Sequence, residues 1–251
     1  MWVHDSEFLL DMGGIAKRLK QSVENKADII VVTPSWREED QAEDRTYTDP
    51  KELFREKCVQ MTTLGTVILS SSVASELSKL PPLDGEVEAG MWQMEAIFKY
   101  FADKDIIADS YVDFLWNYNF ATSEKRYNGY NSMKLWCKQW YQCITDLPQS
   151  YDCYKKEVYK AQRKDYHPFY VKSLLESRAN GTLTVKNVKE NEAIIPQVCD
   201  TSIKKFYIVA GMPRFIARFL TKHENSKLTA IVKGIYYTIC GFVPGEREIL
   251  S

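Results

Sequence analysis

The sequence predicts a mainly α-helical, multi-helix globular protein with a minor β component, arranged as one domain or as two helical lobes. Three observations indicate this class. Apolar residues recur at helical spacing through most of the 251 residues, β-branched runs are short, and glycine is scarce at 11 residues. A low glycine content disfavours turn-dense β architectures and Gly-rich phosphate loops.

The N-terminal half shows helical patterns around one short strand. Apolar residues over 8–23 have helical spacing, with Asp5 or Ser6 as the N-cap, and the β-branched run 29–32 predicts a strand. Residues 35–49 are polar and acidic, which predicts a flexible loop. Asp49-Pro50 then predicts a helix start, with Asp as the N-cap and Pro at the first position. Further helices are expected over 53–64, 66–80, 86–101 and 106–116.

The C-terminal half shows helical patterns separated by polar breaks. We expect helices over 130–146, 151–166, 169–178, 213–222 and 227–240, with 202–210 of either type. The most strand-like stretch is 182–200. Trp136 and Trp140 share an apolar helical face with Met133, so we interpret them as core residues and not as platforms for base stacking.

Charge is segregated along the chain. Residues 1–122 carry 12 Lys and Arg against 22 Asp and Glu, whereas residues 123–251 carry 21 against 12. The net charges are −10 and +9, within a total of −1. This predicts an acidic lobe over 1–122 and a basic, aromatic-rich lobe over 123–251. It also predicts a polyanionic partner or charge-complementary self-association. In a single domain, the same split would instead reflect ordinary folding electrostatics.

Three groups of residues are candidates for nucleic-acid binding. Two are basic stripes, in which like charges repel each other unless a phosphate backbone offsets the repulsion. In the third, tyrosines among basic residues are candidates for stacking on single-stranded bases. A solvated basic face is the alternative for each group. The first group is a stripe on a helix over 151–167 and comprises Lys156, Lys160, Arg163, Lys164 and His167. The second is a row on the helix after Pro213 and comprises Arg214, Arg218 and Lys222. The third is an aromatic and basic cluster near the polar break 120–129 and comprises Lys125, Arg126, Tyr127 and Tyr130.

Enzyme motifs are weak in this sequence. It contains no Gly-x-Ser-x-Gly, Walker A, His-Glu-x-x-His or Gly-x-Gly-x-x-Gly motif, and no paired Cys or His spacing typical of zinc sites. One alternative is open. Asp105, Asp109 and Asp113 at i, i+4 and i+8 would share one face of the helix expected over 106–116, as a magnesium-dependent phosphohydrolase would need. We otherwise expect a non-enzymatic protein without a cofactor.

The expected location is intracellular and cytoplasmic. Met1 leads into acidic residues without a signal-peptide pattern, and no run of about 18 uncharged apolar residues predicts a membrane span. The six cysteines are expected to be reduced and mostly buried. Lys155-Lys156 and Arg163-Lys164 only loosely match a bipartite nuclear-import signal.

These patterns together favour a self-associating RNA-binding protein of nucleocapsid-like type, with a composition compatible with a viral or AT-rich genome. A matrix-type structural protein, whose basic stripes contact anionic lipid or a protein partner, is the alternative.

Overall fold

The described residues form many helices, a small four-stranded mixed sheet and a two-stranded antiparallel sheet, which confirms the mainly α class with a minor β component. The computed structural model describes residues 8–10, 12–33, 44–63, 65–80, 89–112, 115–117, 131–163 and 167–222. Contacts between Cα atoms divide the chain into two compact units. Unit 1 comprises Met1–Ser123 and Gln139–Asp165, and unit 2 comprises Glu124–Lys138 and Tyr166–Ser251.

Unit 1 contains a four-stranded sheet of order β3-β5-β2-β4 and a separate antiparallel pair, β1 with β6. The strands are β1 Phe8–Leu10, β2 Ile29–Thr33, β3 Arg45–Tyr47, β4 Val67–Leu69, β5 Ala108–Val112 and β6 Leu115–Asn117. Strand β2 pairs in parallel with β5 and antiparallel with β4, so it lies inside the sheet. Its four residues from Ile29 to Val32 are all buried, as expected for a strand covered on both faces.

Six α-helices of unit 1 lie within the described residues. They are α1 Met12–Glu24, α2 Pro50–Lys57, α3 Ser71–Leu77, α4 Ala89–Tyr100, α5 Tyr141–Thr145 and α6 Asp152–Val158. Helix α1 places Ile15 against one face of the sheet, on Ile30, Val32 and Tyr111. Helix α2 starts as the sequence predicts, since the Asp49 carboxylate accepts a 2.8 Å hydrogen bond from the Lys51 amide.

An aromatic cluster joins residues 139–165 to the rest of unit 1. The rings of Phe54, Phe98 and Tyr151 lie 5.0 to 5.7 Å apart, and all three side chains are fully buried. The Tyr151 hydroxyl donates a 2.9 Å hydrogen bond to the Phe98 carbonyl. Residues 139–165, which the charge pattern places in the basic half, therefore pack with the acidic N-terminal segment. The compact units divide the chain differently from the predicted boundary at 122.

The described residues of unit 2 form helices joined by turns and contain no strand. They include most of the π-helical segment Met133–Trp140, followed by α7 Val171–Asn180, α8 Val185–Glu190, α9 Ile195–Val198, α10 Ile203–Gly211 and α11 Arg214–Lys222. The core includes Leu174, Val188 and Phe206, and the Phe206 ring lies 5.4 Å from that of Phe169. Trp136 is also buried. The expectation that Trp136 and Trp140 are core residues is confirmed, since Trp140 is buried too.

Several sequence-based assignments are wrong. Residues 8–10, 45–47, 67–69 and 108–112 are strands, where we expected helix or loop. These strands are short, and their partners are distant in sequence, so no local periodicity marks them. The strand-like stretch 182–200 instead forms α8 and α9. Thr184 and Asn187 close a capping box at the start of α8, and Pro196 lies in the first turn of α9.

Candidate nucleic-acid interface

The predicted binding residues are distributed between the two units. Lys156, Lys160 and Arg163 belong to unit 1, and His167 belongs to unit 2. The row Arg214, Arg218 and Lys222 also lies in unit 2. Lys125, Arg126, Tyr127, Tyr130 and Lys164 lie outside the described residues, as do the helix expected over 227–240, residues 35–43 of the acidic loop, and the proposed caps Asp5 and Ser6.

The single helix expected over 151–167 does not form. Helix α6 ends at Val158, and residues 161–163 form a 3₁₀ turn. The Trp140 indole N–H donates a 3.1 Å hydrogen bond to the Tyr159 carbonyl, and the Arg163 amide bonds to the Lys160 carbonyl, three residues back. A buried tryptophan thus binds the carbonyl that a continuing α-helix would use, and the predicted stripe from Lys156 to His167 is not one helical face.

Histidine 167 has a left-handed backbone, with φ of 43°, just before α7. Its ring stacks on Tyr170 with centroids 4.5 Å apart, and its carbonyl accepts hydrogen bonds from the Tyr170 amide and the Ser173 hydroxyl. These bonds fix the entry into α7. The structure therefore gives His167 a local role at a helix start, and the prediction that it contacts nucleic acid stays a prediction.

The second predicted row forms on α11, and its arginines also bind the end of α7. Arg214 donates to the Asn180 carbonyl at 2.9 Å, and Arg218 donates to the Ala179 carbonyl at 3.1 Å. The last carbonyls of an α-helix lack intrahelical partners and carry a partial negative charge, so cationic donors are favourable there. The two guanidinium groups are thereby oriented by the neighbouring helix end.

Gly181 makes this arrangement possible. Its φ of 87° is left-handed, and its amide and that of Thr182 bond back to the Arg178 and Ser177 carbonyls, as in a Schellman motif. A Cβ atom at residue 181 would lie 2.7 Å from the Arg214 Cζ atom. The bare glycine backbone therefore provides the surface on which the Arg214 guanidinium rests.

The exposed face of α11 carries aromatic rings that the sequence analysis did not assign to the site. Ala217 and Leu220 are buried, whereas the Phe215 residue is 73% exposed and Phe219 is 37% exposed. Arg214 is exposed as well. Periodicity alone groups Phe215 and Phe219 with the other apolar residues of this helix. The signal that distinguishes them is their position one residue after each arginine of the basic row.

The two units have opposite net charges. Unit 1 carries 17 Lys and Arg against 26 Asp and Glu, a net charge of −9. Unit 2 carries 16 against 8, a net charge of +8. The two halves of the sequence have nearly the same net charges, −10 and +9. Grouping residues 139–165 with unit 1 therefore leaves the acidic and basic residues as strongly separated as before. Charge of one sign is therefore concentrated within each set of residues that packs together.

The prediction of a helix over 106–116 is wrong, so the helical face proposed to bind magnesium does not form. Residues 108–112 are strand β5, so Asp105 is exposed before the strand and Asp109 is 1% exposed within it. Asp113 lies outside the described residues. On a strand, residues four apart are about 13 Å apart along its axis and do not converge as they would on a helix.

Asp109 instead anchors the sheet to helix α1. Its carboxylate accepts hydrogen bonds from the Ser22 and Thr46 hydroxyls at 2.7 Å, from the Tyr111 hydroxyl at 3.1 Å and from the Asn25 side-chain Nδ2 at 3.1 Å. These donors come from α1, from the residue that follows α1, from β3 and from β5. Because a buried carboxylate requires hydrogen-bond partners, this cluster is best explained as a structural tie.

The described cysteines are free thiols. Cys58, Cys137, Cys143 and Cys199 are buried and Cys153 is exposed. Burial raises the pKa of the Cys137 and Cys143 thiols well above the ordinary value. A high pKa leaves little thiolate near neutral pH, so these two thiols are suited to packing and not to nucleophilic chemistry.

Comparisons with known proteins identify no relative. No family model, curated protein or solved structure matches this chain. Within the part of the chain that the structure describes, no three or more His, Cys, Asp and Glu side chains are grouped so as to hold a metal ion. Among those same residues, no helix has both the length and the apolar character required to cross a bilayer.

Proposed function

We propose that this protein binds nucleic acid, with RNA as the expected ligand, chiefly through unit 2. The observation that carries the proposal is the segregation of charge between compact units, −9 in unit 1 and +8 in unit 2. A strongly basic surface attracts the phosphate backbone, and the release of counterions then stabilises the complex. Cytoplasmic location, as expected from the sequence, fits an RNA ligand.

The described basic residues of unit 2 support this proposal. Arg214, Arg218 and Lys222 follow one another at helical spacing on α11, and all three residues are exposed. Arg214 and Arg218 donate to backbone carbonyls, which bind the guanidinium without neutralising it. Like charges in one row cost some tenths of a kcal/mol per pair, and bound phosphates would offset that cost.

Self-association is the second part of the proposal. The acidic unit of one copy has the charge needed to attract the basic unit of another, as in a nucleocapsid-like assembly. The lipid-binding alternative uses the same basic residues against an anionic membrane surface. Flotation of the protein with anionic vesicles, with and without competing RNA, separates these ligands.

The primary test is the anisotropy of a short, unstructured, labelled RNA over a series of KCl concentrations, with nucleic acid first removed from the protein. We expect log K to fall linearly with log salt, by about 0.7 for each phosphate contacted by the protein. Lys222→Glu is expected to weaken binding several-fold and to lower the slope. Absence of binding at low salt would overturn the proposal.

Lys79→Glu provides the matched control for this test. Lys79 is an exposed lysine of unit 1, and its substitution changes the net charge by the same amount as Lys222→Glu. Equal weakening by both variants would show that only total charge matters. The triple variant Lys156→Glu, Lys160→Glu, Arg163→Glu tests the unit 1 residues, and unchanged binding would remove those three from the interface.

A further inference from the structure

Helix α11 presents an aromatic row directly beside its basic row. At 100° per residue, Arg214, Arg218 and Lys222 cover about 80° of the helix surface, and Phe215 and Phe219 occupy the adjoining sector. The Phe215 and Phe219 residues are 73% and 37% exposed. The outer half of α11 therefore combines cations with accessible rings.

Packing against the described residues of unit 2 does not account for the exposed Phe215 ring. Ala217 and Leu220 are buried on the opposite side of α11, and this side attaches the helix to the unit. Leaving a phenylalanine in water forfeits about 2 kcal/mol of burial free energy. Phe215 is largely exposed, so it forgoes most of this burial free energy. Phe219 lies one turn further along the same sector of the helix. An aromatic pair beside three cations is suited to a ligand that offers both flat rings and negative charge.

We propose that α11 binds a single strand of nucleic acid, with unpaired bases stacked on Phe215 and Phe219 and phosphates on Arg214, Arg218 and Lys222. This inference rests on the proposed function and adds a preference for single strands over duplexes. In a duplex the base faces are covered by neighbouring base pairs. In a single strand they are open, and every base has a face that can stack on an aromatic ring.

The bonds from Arg214 and Arg218 to α7 favour this use of the row. Each guanidinium has five N–H donors, and the bonds to Asn180 and Ala179 use one donor from each group. The arginine side chains are therefore held in position before the ligand arrives, so less side-chain entropy is lost on binding.

An anionic membrane is a weaker fit to the same face. Interfacial helices insert a broad apolar side into the lipid. The most deeply buried apolar residues of α11, Ala217 and Leu220, face the protein, and the outer half offers only two rings beside three cations.

Phe215→Ala tests the inference, because this highly exposed ring can be removed without opening a cavity. The probes are a short unstructured RNA, the DNA strand of the same sequence and the corresponding RNA duplex. We expect binding of the single strands to weaken by about tenfold, as for the loss of one stacked base. The salt slope should stay unchanged because no phosphate contact is lost, and duplex binding should change by less than about twofold.

Two further variants provide the controls. Trp92→Ala removes a 42% exposed aromatic residue from unit 1 and is expected to leave binding unchanged. Phe215→Tyr keeps the ring and is expected to retain the affinity for single strands. A matching loss on DNA and RNA supports a general single-strand site, and a loss confined to RNA supports the site and assigns recognition of the ribose.

Four results would overturn the inference. Phe215→Ala could leave single-strand binding unchanged, or weaken single-strand and duplex binding equally. It could also abolish flotation on anionic vesicles without changing single-strand binding. These three results leave the proposed function in place if the unmodified protein still binds RNA with a steep salt dependence. Failure of the unmodified protein to bind any probe removes both the inference and the proposed function.

Discussion

The two units hold arginine side chains with opposite kinds of partner. In unit 1, Arg45 and Arg55 each donate to the Glu56 carboxylate at 2.8 Å. In unit 2, Arg214 and Arg218 donate to backbone carbonyls at the end of α7. A carboxylate neutralises the guanidinium, whereas a carbonyl satisfies the donor and leaves the positive charge in place.

This difference shows how one residue type serves two purposes. Unit 1 has an excess of acidic residues, and its Arg18, Arg45 and Arg55 pair with carboxylates of the same unit. Unit 2 has twice as many basic as acidic residues, and Arg214 and Arg218 are oriented without being neutralised. Oriented charge that the fold does not neutralise is available to an outside partner, which is why we propose unit 2 as the nucleic-acid-binding unit.

The largest effect is expected at Asp109, where unit 1 buries a carboxylate among neutral donors. Asp109→Asn replaces one acceptor oxygen with an N–H₂ group that faces the hydroxyls bonded to it. The buried hydroxyls must then rearrange or lose their hydrogen bonds. This should lower the free energy of unfolding by about 2 kcal/mol. Urea denaturation provides the measurement.

Asp105→Asn is the control for Asp109→Asn, since Asp105 is exposed just before the same strand. We expect its free energy of unfolding to change by less than about 0.5 kcal/mol. Equal effects of the two substitutions would mean that the buried cluster does not tie α1 to the sheet. Asp109 would then no longer be an example of a charged group whose hydrogen bonds are all supplied within unit 1.

A smaller and pH-dependent effect is expected at Glu56. Burial raises the pKa of this carboxyl, but hydrogen bonds from Arg55 and Tyr47, together with the charge of Arg45, outweigh burial and hold the pKa below its ordinary value. The associated stability is present above the ordinary glutamate pKa of about 4.3 and is lost as the pH falls through the lower folded-state pKa.

Glu56→Gln should therefore lower the free energy of unfolding by about 1.5 kcal/mol at neutral pH, where the carboxylate bonds are intact. The difference from the unmodified protein should shrink as the pH is lowered below about 4 and the glutamate itself becomes protonated. Urea denaturation at a series of pH values measures both effects. A difference that is independent of pH would contradict the assignment of Glu56 as the charge partner of these arginines.

Local signals predicted helix boundaries well, and long-range contacts explain the failures. Asp49-Pro50 marks a helix start by interactions within a few residues, so the sequence is sufficient there. Strand β5 was missed because Asp109 is polar and its partner Ser22 is 87 residues away. The helix over 151–167 was overextended because the Trp140 indole binds a carbonyl 19 residues along the chain.

The candidate site was predicted only in part, for a related reason. The basic row on α11 follows from helical spacing, and the structure contains that helix. Periodicity assigns Phe215 and Leu220 alike to an apolar class, but which of them is buried depends on where α7 lies. Likewise, the bond from Arg218 to Ala179 joins residues 39 apart and has no sequence signature.

The smallest effect is expected at Gly181, where unit 2 brings a helix end and a guanidinium together. Gly181→Ala retains a left-handed φ of 87° at a cost of about 1 kcal/mol. The new methyl group also lies within 2.7 Å of the Arg214 Cζ atom, so the guanidinium must move away from Asn180. The end of a long side chain moves easily, so this displacement should add only a few tenths of a kcal/mol.

A double-mutant cycle with Arg214→Ala separates the two contributions to the cost at Gly181. In the Arg214→Ala background, Gly181→Ala should retain the backbone cost and lose the displacement cost, so in urea denaturation the double variant should lose slightly less stability than the sum of the two single variants. RNA affinity should depend on Gly181 only through Arg214. If an oriented Arg214 contacts phosphate, Gly181→Ala weakens RNA binding in the unmodified background and has no effect on it once Arg214 is absent. Equal weakening in both backgrounds would show that orientation by the end of α7 does not prepare the arginine for a ligand.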